Sequence, residues 1–593
     1  MKQMILEFGN LDLTKFRNLH ILSSECSSTS NSPCPTWKMK EQPSYTKLRG
    51  GYYTPEVIAQ FLAGWAIRSQ RDEIIEPSCG DGVFLEAATR TLCGLGAKLD
   101  CASRQIRGYE IDGEEAAKSV LRLQSLGVEK SKAQVFEGDF FASAVRLLGL
   151  DGCDVVLGNP PFVRYQNFPE AQRKVAFEIM RGTGLRPSRL TNAWVPFLVA
   201  GALLLRPGGR MAMVLPAELL QVNYAAELRL FLSKFFKRIT AMTFRKLAFP
   251  GIQQEVILLL AEREAQSQGG IEVVELDGIP DLSKYRQSHF GRNGFKAIDH
   301  STEKWTQYFL TAQELDLIRG LRRNAGLVEL GTLGETDIGV VTGMNDFFVL
   351  TAAEIEQLKL EKYARRLVSR SNQLSGIIFK GNDWREKARA GMPVHLLDLP
   401  ALDILKLPAH VRGYIAAGEA AKLHLGYKCR IRRFWYRVPS VYDPTGFLLR
   451  QVHGYPKLVV NKTAATSTDT VHRVRFKKDV NGYQVAAAFL NSLTFAFAEI
   501  SGRSYGGGVL EIEPNEADRL PIPLAGSTKL DVEEIDCLVR AGEIEKVLEI
   551  TDRELLVKGL GLTTRQSVML NEIWKKLRDR RQGRKDRSAA MVA

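Results

Sequence analysis

Signatures of metal sites and disulfides are missing from this sequence. Its eight cysteines, at positions 26, 34, 79, 93, 101, 153, 429 and 537, form no C-x-x-C pair, and no histidine stands at ligand spacing from them. Neither a zinc site nor a disulfide framework is expected, and the reaction centre is expected to hold no metal. Also missing is any run approaching the roughly 18 to 20 uninterrupted apolar residues of a membrane span. The N-terminal MKQMILEFGNLDLTKFRN lacks the apolar core of a signal peptide. A soluble protein with no membrane partner is the expectation. Acidic residues are the scarcer charge, 67 against 81 Lys and Arg, for a net charge of +14. The imbalance is local: Tyr427 to Lys478 holds 12 Lys and Arg against Asp443 and Asp469, and Trp574 to Arg587 holds eight against Asp579 and Asp586. Outside these two segments the chain is close to neutral, so the positive charge reads as two patches.

What is there is globular. With 593 residues, 45% hydrophobic and 25% charged, the chain is long enough for two to four domains with ample cores. Residues 1–44 include SSECSSTSNSPCPT, which cannot bury apolar surface and reads as a flexible tail. Over 45–265, short apolar runs alternate with helical stretches: EIIEP (73–77), QIRGYEI (105–111), AQVFEGD (133–139), DVVLGNP (154–160), RMAMVLP (210–216) and EVILLLAE (255–262). Strands separated by helices predict an α/β fold with a largely parallel sheet, whose ligands bind at the C-terminal strand ends. The alternation is lost after about 265, with junction-like polar segments at 266–270 and 288–294. A mixed α+β region over 266–530 and a helical, basic extension over 531–593 are expected. In the latter, Thr563 or Thr564 is a plausible N-cap, with Leu570, Ile573 and Leu577 on one face.

Four strand ends carry chemistry. E-P-S-C-G-D-G (76–82) follows the first strand and precedes a helical run; its glycines permit a tight turn against a ligand, and the helix start offers free N–H groups. An ordinary strand-to-helix turn explains such a segment about one time in three. Glu110 ends the second strand, where an acid characteristically takes the hydroxyls of a ribose, although a solvated carboxylate is the ordinary reading of a single Glu. Asp139 ends the third strand and suits an amino group, and Phe140 beside it suits an adenine face; a surface Asp and a core Phe are the plain alternative. After the fourth strand comes G-N-P-P-F (158–162). Its prolines remove two N–H donors and fix φ, so the Asn159 side chain and the Pro160 carbonyl become a rigid pair of acceptors, with Phe162 beyond. Such a clamp suits a planar amine stacked on Phe162.

The ordered set G-Y-Y-T-P-E (51–56), E-P-S-C-G-D-G, G-Y-E-I-D, E-G-D-F-F and N-P-P-F resembles the gamma-type, TaqI-like DNA adenine-N6 methyltransferases of restriction-modification systems. The resemblance implies a Rossmann-like class I methyltransferase domain, S-adenosylmethionine as cofactor, and duplex DNA as partner, with a separately encoded restriction endonuclease possible. It further implies a place among the nucleoid-associated proteins of a bacterial or archaeal cytoplasm. The catalytic group would be Asn159, Pro160 and Phe162. The cofactor would be held by Tyr53, Thr54, Glu76, Pro77, Ser78, Gly80, Glu110, Ile111, Asp139, Phe140, Asn159 and Pro161. Thr54 and Pro55 also suit the N-cap and N1 of a helix burying Ile58, Phe61, Leu62 and Trp65. In A-F-P-G-I-Q-Q-E-V-I (248–257) the resemblance makes Phe249 the second wall around the target base, where an ordinary core Phe is the competing reading. Phe162 departs from the family's N-P-P-Y.

The resemblance extends more weakly to a C-terminal target-recognition domain. There Lys428, Arg430, Arg432, Arg433 and Arg437 interleave with Phe434, Trp435 and Tyr436, and Lys462 and Arg473 follow. Cations among aromatics suit phosphate contact with some base or sugar packing. Thr463, Thr466, Ser467 and Thr468 add short hydroxyls able to reach phosphates or base edges. Other classes weigh less. A glutamine-amide methyltransferase also uses N-P-P-(Y/F) but has no need of about 300 further residues with a basic patch. The N-terminal tail is too short for a nuclease domain. A non-catalytic DNA-binding scaffold has no use for an amine clamp, and cytosine-C5 chemistry needs a nucleophilic cysteine that Cys153, on an apolar strand, does not supply.

Overall fold

The structure is a computed structural model that describes residues 53–150, 152–245, 255–264, 269–285, 289–291, 294–300, 303–505 and 507–583. The expected tail over 1–44, Phe249 and residues 584–593 lie outside the described residues. The chain divides into two compact units between Tyr308 and Phe309. The boundary expected at 265 therefore falls inside the first unit. Its sheet continues through Gly270–Leu276, a strand hidden from sequence reading by the polar junction in front of it.

The first unit is built on eight strands: β1 (Ile74–Glu76), β2 (Ile106–Glu110), β3 (Val135–Glu137), β4 (Cys153–Gly158), β5 (Leu205–Pro216), β6 (Arg238–Phe244), β7 (Val256–Glu262) and β8 (Gly270–Leu276), in the spatial order β3-β2-β1-β4-β5-β7-β6-β8. β1 to β5 are mutually parallel, and β7 runs antiparallel between β5 and β6. The six strands read from sequence are all present; β6 and β8 are additional. The central strands are buried on both faces, hence their unbroken apolar runs. Ile74, Val155, Leu157, Ala212 and Val214 form one core with Ile58, Leu62, Phe84 and Leu85, the inward residues of α1 (Glu56–Ala66) and α2 (Val83–Gly94). Alternate residues meet helices of the opposite face. There a Cβ at Gly201 would lie 3.1 Å from Val156 and 3.2 Å from Met211, so a small residue lets that helix approach the sheet.

The winding direction reverses at the β1/β4 pair, since β2 and β3 lie on one side and β5 on the other. In open α/β sheets this switch point opens a crevice beyond the strand ends.

In the second unit, a five-stranded sheet takes the strands Gly334–Asp337, Val471–Phe476, Gly446–Leu449, Leu458–Asn461 and Ile378–Phe379 in that order. A four-stranded sheet takes Val349–Leu350, His395–Leu397, Ala364–Val368 and Thr466–Ser467. Two hydrophobic cores are distinct. One is formed by Phe347, Phe348, Leu367, Leu396, Val411, Ile415 and Tyr436 among others, the second by Val368, Phe379, Phe447, Val459 and Val471. The expected C-terminal extension is helical, and Thr563 caps Thr564–Gln582 in a reciprocal capping box with Gln566. It is not an appendage. Leu570, Ile573 and Trp574 are fully buried, Trp574 packs 5.0 Å from Phe495, and Arg581 is buried in an ion pair with Glu499.

A candidate cofactor cavity and amine clamp

A cavity of about 590 Å³ opens at the C-terminal ends of β1 to β4, of a size that suits a nucleotide-like molecule. After β1, the chain turns through Pro77 to Gly82 with Gly80 at φ +52° and Gly82 at φ +85°. A side chain at Gly82 would be strained by that φ, and its Cβ would come 2.8 Å from Ser119. The loop is held from behind. Arg122, on α3 (Gly113–Ser125), donates to the Asp81 carbonyl at 3.0 Å and to the Asp81 carboxylate at 2.6 Å, and pairs with Glu86 at 2.9 Å. Gly80 N–H donates to Glu110 Oε2 at 2.9 Å and Asp112 N–H to Glu110 Oε1 at 3.0 Å. The carboxylate at the end of β2 is thereby locked in orientation by two backbone donors.

Asp139 caps α4 (Phe140–Leu147), accepting from Phe141 N–H at 3.0 Å, and burial raises its carboxyl above the usual range. Phe140 is buried at the cavity wall, stacked on Phe197 with ring centroids 5.6 Å apart and planes 11° apart. Glu76 is 1% exposed, its Oε2 has no hydrogen-bond partner among the described residues, and burial together with Asp81 and Glu110 pushes its carboxyl well up. A buried carboxyl left unsatisfied is costly. Here it lines a cavity with Asp81, Glu110, Asp112, Glu114, Glu115 and Asp139, with Lys118 the one lysine or arginine among the lining residues. A ligand carrying positive charge, with an ammonium able to reach Glu76, is what this electrostatic environment favours.

The clamp loop leaves β4 at Gly158. Asn159 Nδ2 donates to Thr54 Oγ1 at 3.1 Å. Pro160 is buried, and Asn159 and Pro161 line the cavity. Val163 C=O accepts from Ala193 N–H at 2.9 Å, which fixes the far end of the loop. Phe162 is half-buried, packs against the core of α1 and α2, and is not a lining residue of the cavity. The chain thus passes from the cavity wall, at Asn159 and Pro161, to the edge of the α1 and α2 core, at Phe162. The capping expected of Thr54 is corrected: Pro55 is the N-cap of α1, with no side-chain cap, because the Thr54 hydroxyl is engaged by Asn159. Tyr53, 55% exposed, donates to Glu115 Oε1 at 3.0 Å. Ile111 is exposed at the cavity edge. Cys153 is buried on β4 and its thiol is pushed up to about 12 by burial, which disfavours its thiolate.

Two residues of this site were not legible, Phe197 in the cavity wall and Arg122 behind the Asp81 loop. Phe197 sits in N-A-W-V-P-F-L-V-A, an all-apolar helix in which nothing distinguishes a wall aromatic from a core one. Arg122 carried no signal because its partners lie 36 and 41 residues away.

In the second unit, Lys428, Arg430, Arg433, Arg437 and Lys462 are exposed, beside exposed Leu425, Tyr427 and Ile431. Other expected DNA-facing residues require correction. Arg473 is 3% exposed and donates to the Ile338 and Ser440 carbonyls under the Tyr442 ring, so it braces the sheet. Arg432 is half-buried and donates to Val341 C=O at 2.8 Å. Thr463, Thr466, Ser467 and Thr468 are buried; Thr468 Oγ1 donates to Ser369 C=O and Ser467 Oγ to Val471 C=O, stitching strands together. Tyr436 is core and Trp435 packs on Phe347 while donating to Glu419. Lys575 and Lys576 of the basic tail pair with Glu545 and Glu314.

Comparison with known proteins accounts for both units. Residues 39–279 match the family described as N-6 DNA Methylase, and residues 302–556 match the C-terminal domain of the type II methyltransferase M.Eco57I. The type II methyltransferase M.XamI of Xanthomonas campestris pv. amaranthicola is 24% identical over 483 residues, 80% of this chain and 85% of its own. M.AccI of Acinetobacter calcoaceticus is 20% identical over 495 residues, 79% and 84% of the two chains. Among solved structures, the type IIL restriction-modification enzyme MmeI, determined in complex with DNA, shares the fold at a TM-score of 0.53 and 13% identity. That match covers 88% of this chain and 75% of MmeI. The chain belongs to the N6-adenine DNA methylases, as a type II methyltransferase of restriction-modification systems.

Proposed function

We propose that this methyltransferase holds S-adenosylmethionine in the acid-lined cavity and an extruded adenine against Asn159, Pro160 and Phe162. The observation that carries the reading is the position of Asn159, fixed between the cavity on one side and the half-buried Phe162 on the other. S-adenosylmethionine supplies a methyl group on a positively charged sulfur. Glu76 suits its ammonium group, Glu110 its ribose hydroxyls, and Asp139 with Phe140 and Ile111 its adenine; Tyr53, Thr54, Pro77, Ser78, Gly80 and Pro161 complete the walls. Asn159 Oδ1 and the Pro160 carbonyl accept the two amine hydrogens of the target base. Their pull directs the nitrogen lone pair toward the cavity, so the residues contribute positioning and fixed dipoles without a covalent intermediate. The base reaches them only when flipped from the duplex, at a cost of a few kcal/mol. Phe162, with Phe249 as the proposed opposite wall, offsets part of that by stacking.

The direct test is methyl transfer from labelled S-adenosylmethionine to duplex DNA, with N6-methyladenine as the expected product. Label confined to cytosine or to protein would refute the reading. Division of labour is testable separately. Glu110→Ala and Asp139→Ala are each expected to raise the cofactor dissociation constant in calorimetry while DNA affinity holds. Normal cofactor binding by either variant removes that residue's assignment.

DNA recognition is assigned to the exposed cations Lys428, Arg430, Arg433, Arg437 and Lys462, without Arg473, whose guanidinium is committed inside the protein. Neutralising Arg430, Arg433 and Arg437 together is expected to weaken DNA binding. It should also flatten the log–log salt dependence by about 0.9 for each phosphate no longer engaged. An unchanged slope in a titration across salt concentrations would move the DNA path off this segment.

A further inference from the structure

We propose that Thr54 is a positioning residue for methyl transfer, holding the Asn159 amide so that its carbonyl end faces the target amine. The inference rests on the reading of Asn159 as the amine clamp. An asparagine side chain is ambivalent: its two ends have nearly the same shape, yet only Oδ1 can accept from an N–H, while Nδ2 turned to the same place would set donor against donor. The amide therefore needs something that grips the nitrogen end. Thr54 Oγ1 accepts from Asn159 Nδ2 at 3.1 Å, across 105 residues of sequence.

The gripping group is itself stiff. Thr54 is 8% exposed, its β-branched side chain is restricted at χ1, and the proline that follows fixes the backbone at the entry to α1. Helix capping does not compete for the hydroxyl: the Pro55 carbonyl accepts from Ile58 N–H at 2.9 Å and Ala59 N–H at 3.2 Å, and α1 has no side-chain cap. On the other side, Tyr53 is fastened through its hydroxyl to Glu115 at 3.0 Å, and Lys118 donates to that Glu115 at 2.7 Å. Two consecutive residues thus link α3 to the clamp loop along the cavity wall. This assigns Thr54 a duty toward the reacting base as well as its place in the wall.

The test compares Thr54→Val, which keeps the shape and removes the acceptor, with Thr54→Ser, which restores it. Each is measured in the full chain at saturating cofactor and DNA, with cofactor affinity read by calorimetry. Thr54→Val is expected to lower kcat about 3- to 10-fold, the worth of one intramolecular hydrogen bond, with the KM for DNA and the melting temperature unchanged. Thr54→Ser is expected to recover most of the loss. In an Asn159→Ala background, Thr54→Val should have no further effect. The proposal is overturned by a Val variant with the wild-type kcat, by a loss confined to cofactor affinity, or by a penalty that persists undiminished beside Asn159→Ala. Failure of the wild-type chain to methylate adenine would instead refute the underlying assignment of Asn159.

Discussion

Asn159→Ala is expected to lower the single-turnover rate of adenine methylation by about 10² to 10³, the usual effect of deleting one preorganised polar contact to a reacting group. Specific DNA affinity should persist, because the exposed cations of the second unit and Phe162, the proposed stacking ring, are untouched. Cofactor binding should change little, since the carboxylates of Glu76 and Glu110 stay in place and Glu110 is held by the Gly80 and Asp112 N–H groups rather than by Asn159. Rapid-quench methyl transfer and a gel-shift titration on the same preparation separate the two effects. Near-normal turnover would leave the Pro160 carbonyl as sole acceptor and remove the amine clamp from the mechanism.

Arg581→Met is expected to destabilise the second unit by about 3 to 5 kcal/mol, the cost of leaving one partner of a buried ion pair behind. Arg581 and Glu499 are each 2% exposed at the side chain. The guanidinium also donates to the Val452, Gly508 and His453 carbonyls, so its removal leaves a buried carboxylate unpaired and takes a donor from three backbone acceptors, of which His453 C=O keeps the one from Gln582. Urea unfolding of the full chain should show the transition of the second unit displaced while that of the first stays in place. Adding Glu499→Gln should recover part of the loss. A displacement below about 1 kcal/mol, the level of an exposed ion pair, would mean that the helix Thr564–Gln582 is held by its apolar face alone.

Arg581 also illustrates where sequence reading stops. In K-K-L-R-D-R-R-Q it is one cation among several, and only packing reveals that it is enclosed while Lys575 is not. Arg473 failed in the same way: an arginine between His472 and Val474 on a strand can face either side, and here it faces the carbonyls of Ile338 and Ser440. The methyltransferase half was legible for the opposite reason. The residues proposed for its chemistry sit at strand ends, where a period-breaking Gly, Pro or acid is visible against an apolar run, as at Glu76, Glu110, Asp139 and Asn159, all of which line the cavity. Even there the reading erred on partners. Thr54 looked like a helix cap because it precedes Pro-Glu, and the residue that claims its hydroxyl lies beyond any local window. Strands β6 and β8 escaped because polar residues interrupt R-I-T-A-M-T-F and G-I-E-V-V-E-L and flank them; β6 joins the sheet through the antiparallel β7, and β8 through its parallel pairing with β6.

The two separate cores of the second unit bear on how such enzymes diversify. The exposed cations from Lys428 to Arg437 ride on the core of Phe347, Leu396, Val411 and Tyr436, whereas the sheet of Phe447, Val459 and Val471 is packed independently. Within the second unit, substitutions among these exposed cations leave the buried residues of both cores as they are. The charge of this surface can therefore vary from one descendant to the next while the packing beneath it is inherited unaltered.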